Sequence, residues 1–410
     1  MLGYAVHLNR NRLMKDTTLT AQPKQEAKVK YPRHRQLILK GNYAAAEAAR
    51  LCRVGFVPAY PITPQTTIVE RLAEMTSDGE LDATYVNMDS EHSVFAAAMG
   101  AAIGGERVFT ATAGQGLYYA HEVLHAISHF RLPMVMCNVG RPSIPWNIWS
   151  DQSDSLAQRD TGWIQFYGES SQEVLDTVIQ AFVLTEQLNI PVMVVLDAFY
   201  QSHTSENIWL PDQELVDEFL PAKPKAPMSI ELDRPKTFGG LVAPEHYHKL
   251  NYAHWEDLAQ IESLSETIAA RFAGQFGRRY GNVEAVNIGP QTKLVLVTVS
   301  SITTTARGVI RRHPEVGLLK IRLFKPFPRE AVRQALSVLP PDARLAAIER
   351  NFLGDREGAI LQELRRALYG LDLPIYDFYA GVGGKDVPPE AIEEVIHRAM
   401  GEPEPVNWIK

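Results

Sequence analysis

The chain predicts an α/β fold of the doubly wound, parallel kind, built in two units. Three observations carry this. Between residues 54 and 140, short apolar runs closed by glycine or proline alternate with helical patterns, the rhythm of βα units. After a Pro-rich interval the same rhythm restarts at Thr292. At 410 residues the chain is also longer than one ordinary hydrophobic core sustains.

The elements follow in order. Residues 1–36 form a basic arm: Arg10, Arg12, Lys15, Lys24, Lys28, Lys30, Arg33 and Arg35 face only Asp16 and Glu26. No apolar run follows, so this is not a secretory signal, and a flexible arm resting on a partner is the plain reading. The first unit spans 37–204. Gly41 to Arg53 reads as an alanine-rich helix, Val54 to Tyr60 as a buried strand, Thr66 to Met75 as a helix and Thr84 to Met88 as a strand. Ser93 to Ile103 is a helix, Arg107 to Thr112 a strand, Leu117 to Phe130 a helix and Pro133 to Val139 a strand. Asn147 to Thr161 is polar and irregular; Gln172 to Gln187 is helical and Pro191 to Leu196 is a last buried strand. Residues 205–290 read as a Pro-rich linker in which no regular element runs far before a helix from Trp255 to Gly274. The second unit, 291–410, carries strands at Leu294–Val299, Val316–Leu323, Leu345–Ile348 and Ile375–Tyr379, with helices at Ser301–Arg312 and Gly358–Tyr369.

Composition narrows the function. Hydrophobic content of 45% with 22% charged residues is that of a globular protein. A net charge of −7 gives no reason to expect nucleic acid or an anionic membrane as partner, and no apolar stretch is long enough to span a bilayer. Only Cys52 and Cys137 occur, both among apolar residues, so this chain cannot ligate an iron–sulfur cluster or a four-cysteine zinc site. Buried thiols in a reducing cytoplasm are the simple reading.

Ligands on doubly wound sheets bind beyond the carboxyl ends of the strands. That rule gathers four loops on one edge: Tyr60 to Pro64, Asp89 to Ser93, Ala113 to Gly116 and Gly140 to Trp146. Glu91 is the residue of most interest. A carboxylate between an apolar strand and an Ala/Gly-rich helix sits in a crowded place, where it either meets a cation or holds a proton for chemistry. The competing reading is that Asp89, Ser90 or Glu91 caps the helix that follows. Arg141, in a loop fenced by Gly140 and Pro142, suits bidentate capture of a carboxylate, with an ion pair to Asp151 or Asp154 as the alternative. His121, His125 and His129 recur every four residues, yet no closing ligand accompanies them and packing is favoured over metal. Gly114-Gln115-Gly116 lacks the third glycine of a dinucleotide fingerprint, no Walker A sequence occurs, and Gly381 to Gly384 reads equally as a tight turn.

At this point a family resemblance enters. Tyr60-Pro61-Ile62-Thr63-Pro64, Ser90-Glu91, Phe109 to Thr112 with Gln115-Gly116-Leu117, Trp146-Asn147-Ile148-Trp149, Arg159 to Trp163, and Gly383 to Asp386 resemble the α subunit of 2-oxoacid:ferredoxin oxidoreductases, most like the pyruvate type (pyruvate synthase). The likeness runs from about residue 40 to the C-terminus. It implies a thiamine-diphosphate pyrimidine-side domain followed by a transketolase-C-terminal-like α/β domain. It implies thiamine diphosphate shared with a partner subunit, Mg2+ and iron–sulfur clusters on partner subunits, CoA as co-substrate, ferredoxin as electron acceptor, and β, γ and δ type companions. Carried over by position, Glu91 matches the acid that hydrogen-bonds the aminopyrimidine and favours its imino tautomer, whose exocyclic nitrogen can take the proton of thiazolium C2. Arg141 and Thr63 match residues that hold the substrate, while Tyr60, Pro61, Ile62, Gln115 and Gly116 match the cofactor wall; no metal ligand is assigned. The sequence departs from the family at Pro142, where alanine is expected, at Ala113-Gly114, where a Ser pair is usual, and at Lys385, where Arg is commoner. The first two edit the wall beside the substrate. The expected reaction is oxidative decarboxylation of pyruvate to acetyl-CoA, with 2-oxoisovalerate or 2-oxobutyrate as alternative acids. Two further alternatives are a self-contained transketolase-like enzyme, for which no diphosphate loop is found, and a non-catalytic scaffold, which would need none of Glu91, Arg141 and Thr63.

Overall fold

The computed structural model describes residues 31, 33–222, 229–235, 237, 239–354 and 356–410. Most of the basic arm, residues 1–36, lies outside that set. Its last three residues open β1 (His34–Lys40), which leads into α1 (Gly41–Leu51). The first unit continues with β2 (Phe56–Ala59), α2 (Thr66–Ser77), β3 (Thr84–Asn87), α3 (Glu91–Gly104), β4 (Phe109–Thr112), α4 (Gly114–Tyr119), α5 (His121–His129) and β5 (Val135–Gly140). After these come α6 (Ser153–Leu156), β6 (Ile164–Tyr167), α7 (Ser171–Leu188) and β7 (Val192–Asp197). Strands β4, β5, β7 and β6 are parallel neighbours, and a parallel bridge from Phe56 to Val108 attaches the β2–β3 pair beyond β4. This is the expected wound sheet.

The interval 205–290 corrects the sequence expectation. It carries β8 (Ser205–Pro211), α8 (Gln213–Phe219), α9 (Pro244–Leu258) and α10 (Ile261–Phe276). Strand β8 pairs antiparallel with β1 in unbroken register, His34 opposite Pro211 through Lys40 opposite Ser205. The prolines mislead because they stand where proline is tolerated: Pro211 closes its strand, and Pro244 sits in the first turn of α9, where a missing N–H costs nothing. The helix expected from Trp255 is in fact two, divided at Ala259–Gln260, and the one expected over Leu117–Phe130 divides at Ala120.

The second unit contains β9 (Val283–Val286), β10 (Leu294–Thr298), α11 (Ile302–Ile310), β11 (Val316–Ile321), β12 (Leu323–Lys325), α12 (Arg329–Leu336), β13 (Arg344–Glu349), α13 (Ala359–Ala367), β14 (Ile375–Tyr379), α14 (Pro389–Met400) and β15 (Val406–Trp408). Its sheet runs β15-β14-β13-β10-β11-β9, parallel except for β9 at the edge. Strand β12 leaves this sheet and adds antiparallel to β6 of the first.

Strand alternation divides the interior. On β5, Val135, Cys137 and Val139 face one core and Met136 faces another; on β10, Val295 and Val297 join Met136, while Leu294 and Leu296 turn to a third. The middle core is therefore shared by both sheets. Buried charges cross the same junction: Lys320 on β11 meets Glu173 at 2.6 Å and Glu169 at 3.0 Å on and before α7, and Arg350 meets Asp197 at 2.9 Å.

Candidate active site

Ser90 and Glu91 divide two jobs that the sequence left between them. The Ser90 hydroxyl accepts the Ser93 N–H at 3.2 Å and caps α3, so the cap is filled without Glu91. Glu91 becomes the first helical residue and is 9% exposed, with no hydrogen bond or ion pair to its carboxylate from any described residue. It leans on Gly116: a Cβ built there would lie 2.5 Å from Glu91 Oε1 and 2.7 Å from the buried, unpartnered Thr112 hydroxyl. Only glycine leaves that carboxylate its place.

The other loops meet at Arg141. Its Nη1 donates to the Thr63 carbonyl at 2.5 Å, its Nη2 donates to Gln115 Oε1, and Gln115 Nε2 in turn donates to the Ser143 carbonyl. Gly114, at φ +48°, lies beneath the guanidinium stem, since a Cβ there would be 2.2 Å from Arg141 Nε. The four loops thus come to one edge as expected. Thr63 meets Arg141 through its backbone, and its side chain is exposed. Pro61 is exposed too, Tyr60 and Ile62 are half-buried, and the Tyr60 carbonyl is held by Gln65 Nε2 at 2.8 Å. Burial lowers the Arg141 guanidinium from its usual value, opposed by the charges of Asp154 and Glu91.

Sequence reasoning assigned no site role to the residue that joins these loops. Asp154 is buried and accepts the N–H groups of Gly114 at 2.8 Å, Arg141 at 3.1 Å and Ser155 at 2.6 Å. It holds the Arg141 backbone; the suggested ion pair between Asp154 and the guanidinium does not form. Burial pushes its carboxyl up to about 7 against these donors. The available signal was its position: an acidic residue in an irregular stretch directly after the Arg141 loop.

The second unit closes over the same loop. Asp151 accepts the Gly383 N–H at 2.9 Å, and Asn147 Nδ2 donates to the Gly383 carbonyl at 2.9 Å. Gly384 packs so closely that a Cβ would meet Trp149 Cβ at 2.1 Å. The glycine turn of the second unit is thereby a latch on Trp146 to Trp149, with a cleft of about 240 Å3 between Ile144, Trp146, Phe352 and Val382 beside it. His121 meets His125 edge to face at 4.9 Å, and His125 lies tilted against His129 at 6.2 Å. Among the described residues no group of His, Cys, Asp and Glu is arranged to hold a metal ion, and no helix is long and apolar enough to cross a membrane.

A carboxylate and a guanidinium, both buried and neither paired with the other's charge type, fit a cofactor with a hydrogen-bonding ring and an anionic substrate. Residues 47–270 match the family described as pyruvate flavodoxin/ferredoxin oxidoreductase, thiamine diphosphate-binding, and 292–392 match pyruvate:ferredoxin oxidoreductase core domain II. Pyruvate synthase subunit PorA of Methanothermobacter thermautotrophicus is 38% identical over 379 residues, covering 91% of this chain and 97% of its own. Ketoisovalerate oxidoreductase subunit VorA of Pyrococcus horikoshii is 40% identical over 356 residues, covering 85% and 90%. Among solved structures, the 2-oxoglutarate:ferredoxin oxidoreductase of Magnetococcus marinus superposes with a TM-score of 0.71 at 19% identity, over 89% of this chain and 65% of that one, a likeness of fold. By sequence over nine-tenths of its length, the chain belongs to the 2-oxoacid:ferredoxin oxidoreductase family, on the side of its α-type, PorA- and VorA-like subunits.

Proposed function

We propose that this chain is the α-type subunit of a CoA-dependent 2-oxoacid:ferredoxin oxidoreductase, with pyruvate as the preferred acid and 2-oxoisovalerate as the alternative. The observation that carries the reading is the buried Glu91 carboxylate, without a hydrogen bond or ion pair from any described residue and set against Gly116, one loop away from a buried guanidinium that no carboxylate of a described residue pairs with directly. When bound, thiamine diphosphate supplies a carbon nucleophile and an electron sink for decarboxylation. Glu91 hydrogen-bonds a ring nitrogen of the aminopyrimidine and holds the proton that selects its reactive tautomer. Gly116, Gln115, Tyr60, Pro61 and Ile62 wall that ring. Arg141 binds the carboxylate of the acid and Thr63 lies beside it, so the scissile bond is oriented by the loop that Asp154 and Asp151 hold.

The diphosphate with its Mg2+, the iron–sulfur clusters and the docking of ferredoxin fall to companion subunits. Two cysteines, both buried, suit that division and a reducing cytoplasm. The test is an anaerobic assay of the complex purified with this chain, following CoA-dependent reduction of a viologen with pyruvate, 2-oxobutyrate, 2-oxoisovalerate, 2-oxoglutarate and oxalate. Pyruvate preference is expected, and Glu91→Gln should lower kcat by about 10²- to 10⁴-fold. Full turnover by Glu91→Gln would refute the assignment; silence of the wild type on all five acids would favour a scaffold.

A further inference from the structure

Arg141 is held in an unusual way for a buried cation. It is 3% exposed, yet no carboxylate of any described residue lies within ion-pair distance of its guanidinium. Its two assigned hydrogen bonds both go to neutral oxygens, the Thr63 carbonyl and Gln115 Oε1, and its Nε is buried without a partner. Gln115 is itself fixed, because its amide nitrogen is spent on the Ser143 carbonyl, two residues beyond Arg141. The side chain therefore spans from the guanidinium to the far side of the loop that carries it.

We propose that Gln115 is a positioning residue: it occupies Arg141 with a neutral acceptor, leaving the guanidinium without a directly paired carboxylate and open to that of the incoming 2-oxoacid, and so sets the affinity for that acid. This rests on the function proposed above. An amide oxygen satisfies a buried N–H without cancelling the positive charge, whereas a glutamate at this position would form the stronger charge-assisted pair and compete with the substrate. The incoming carboxylate then takes the remaining guanidinium donors or displaces the amide, and in both cases meets a cation already aimed.

The test is Gln115→Glu against Gln115→Met in the complete complex, with Arg141 intact. For Gln115→Glu, KM for pyruvate should rise about 10- to 100-fold, the worth of a charge-assisted hydrogen bond. Its thermal midpoint should fall less than that of Gln115→Met, because the lost hydrogen bond to the Ser143 carbonyl is offset by an ion pair to Arg141. Gln115→Met removes the acceptor, so its midpoint should fall while KM rises less. The larger loss of affinity in the more stable of the two variants is the signature that a merely structural role does not give. A Gln115→Glu KM within threefold of wild type, or a KM that rises in step with the fall in midpoint across the two variants, would overturn the proposal. If the wild type turned over no 2-oxoacid, the function proposed above would fail. Titration with oxamate, a carboxylate that resists decarboxylation, would still decide the Gln115 role: weaker binding by Gln115→Glu supports it and equal binding refutes it.

Discussion

Replacing Gly116 by alanine tests the wall against which the Glu91 carboxylate rests. The new Cβ would stand 2.5 Å from Glu91 Oε1, 2.7 Å from Glu91 Cγ and 2.7 Å from Thr112 Oγ1, where ordinary contact begins near 3.4 Å. The overlap is thus about 0.7–0.9 Å on two sides, and Glu91, with no partner holding it, is the group that gives way. Two opposite effects act on stability. Overpacking costs about 1–3 kcal/mol, while alanine gains roughly 1 kcal/mol of helix propensity in α4. The net loss expected is about 0–2 kcal/mol, too little to unfold a chain of this size. Catalysis should suffer far more, because a displacement of about 1 Å at a reacting group is enough to cost ~100-fold in rate. The assay is steady-state kcat of the complex alongside its thermal midpoint. A Gly116→Ala complex with kcat within threefold of wild type would refute the placement of Glu91 as the proton-holding group.

Two further outcomes follow from the buried charges. Asp154, with its carboxyl raised from 3.8 to about 7 by burial, stays protonated in the folded chain between about pH 4 and 7, where the unfolded chain ionises. Its contribution to stability is therefore lost progressively as pH rises from about 4 to about 7 and is flat above that; denaturant midpoints across this range should show the slope, and Asp154→Asn should remove it. Lys320→Met would leave Glu169 and Glu173 without their shared cation, although Arg307 still meets Glu169 at 2.8 Å and Arg322 lies 3.3 Å from Glu173. Breaking a buried pair this way costs about 3–5 kcal/mol, read as a fall in the urea midpoint, and an unchanged midpoint would show that the junction does not depend on it.

Much of the site was legible because its signals are local. A strand that ends in a polar residue and enters a small-residue helix marks a loop at the carboxyl edge, and the rule for wound sheets then places Glu91, Gly116, Arg141 and Thr63 together. Asp154 was not legible, because its importance lies in which N–H groups reach it, from Gly114 in α4 and from Arg141 just after β5, forty and thirteen residues away in the chain. Thr63 does come beside Arg141, but its contact runs through the carbonyl, which every residue type possesses. Strand β6 was missed although all four of its residues are buried, since a short apolar run carries no periodicity that separates strand from loop. Strand β8 and helix α9 were missed because proline was counted without regard to position.

The sequence by itself determined the α/β class and the loops that would meet, since these follow from side-chain period and from turn residues acting over a few positions. The tertiary structure alone decided that β12 crosses from the second unit into the sheet of the first, that Gly383 and Gly384 latch onto Trp149, and that Arg141 is held by neutral acceptors. Each of these depends on pairings between segments far apart in the chain. Their free energy comes from burying and hydrogen-bonding groups that no local pattern distinguishes from groups left in water.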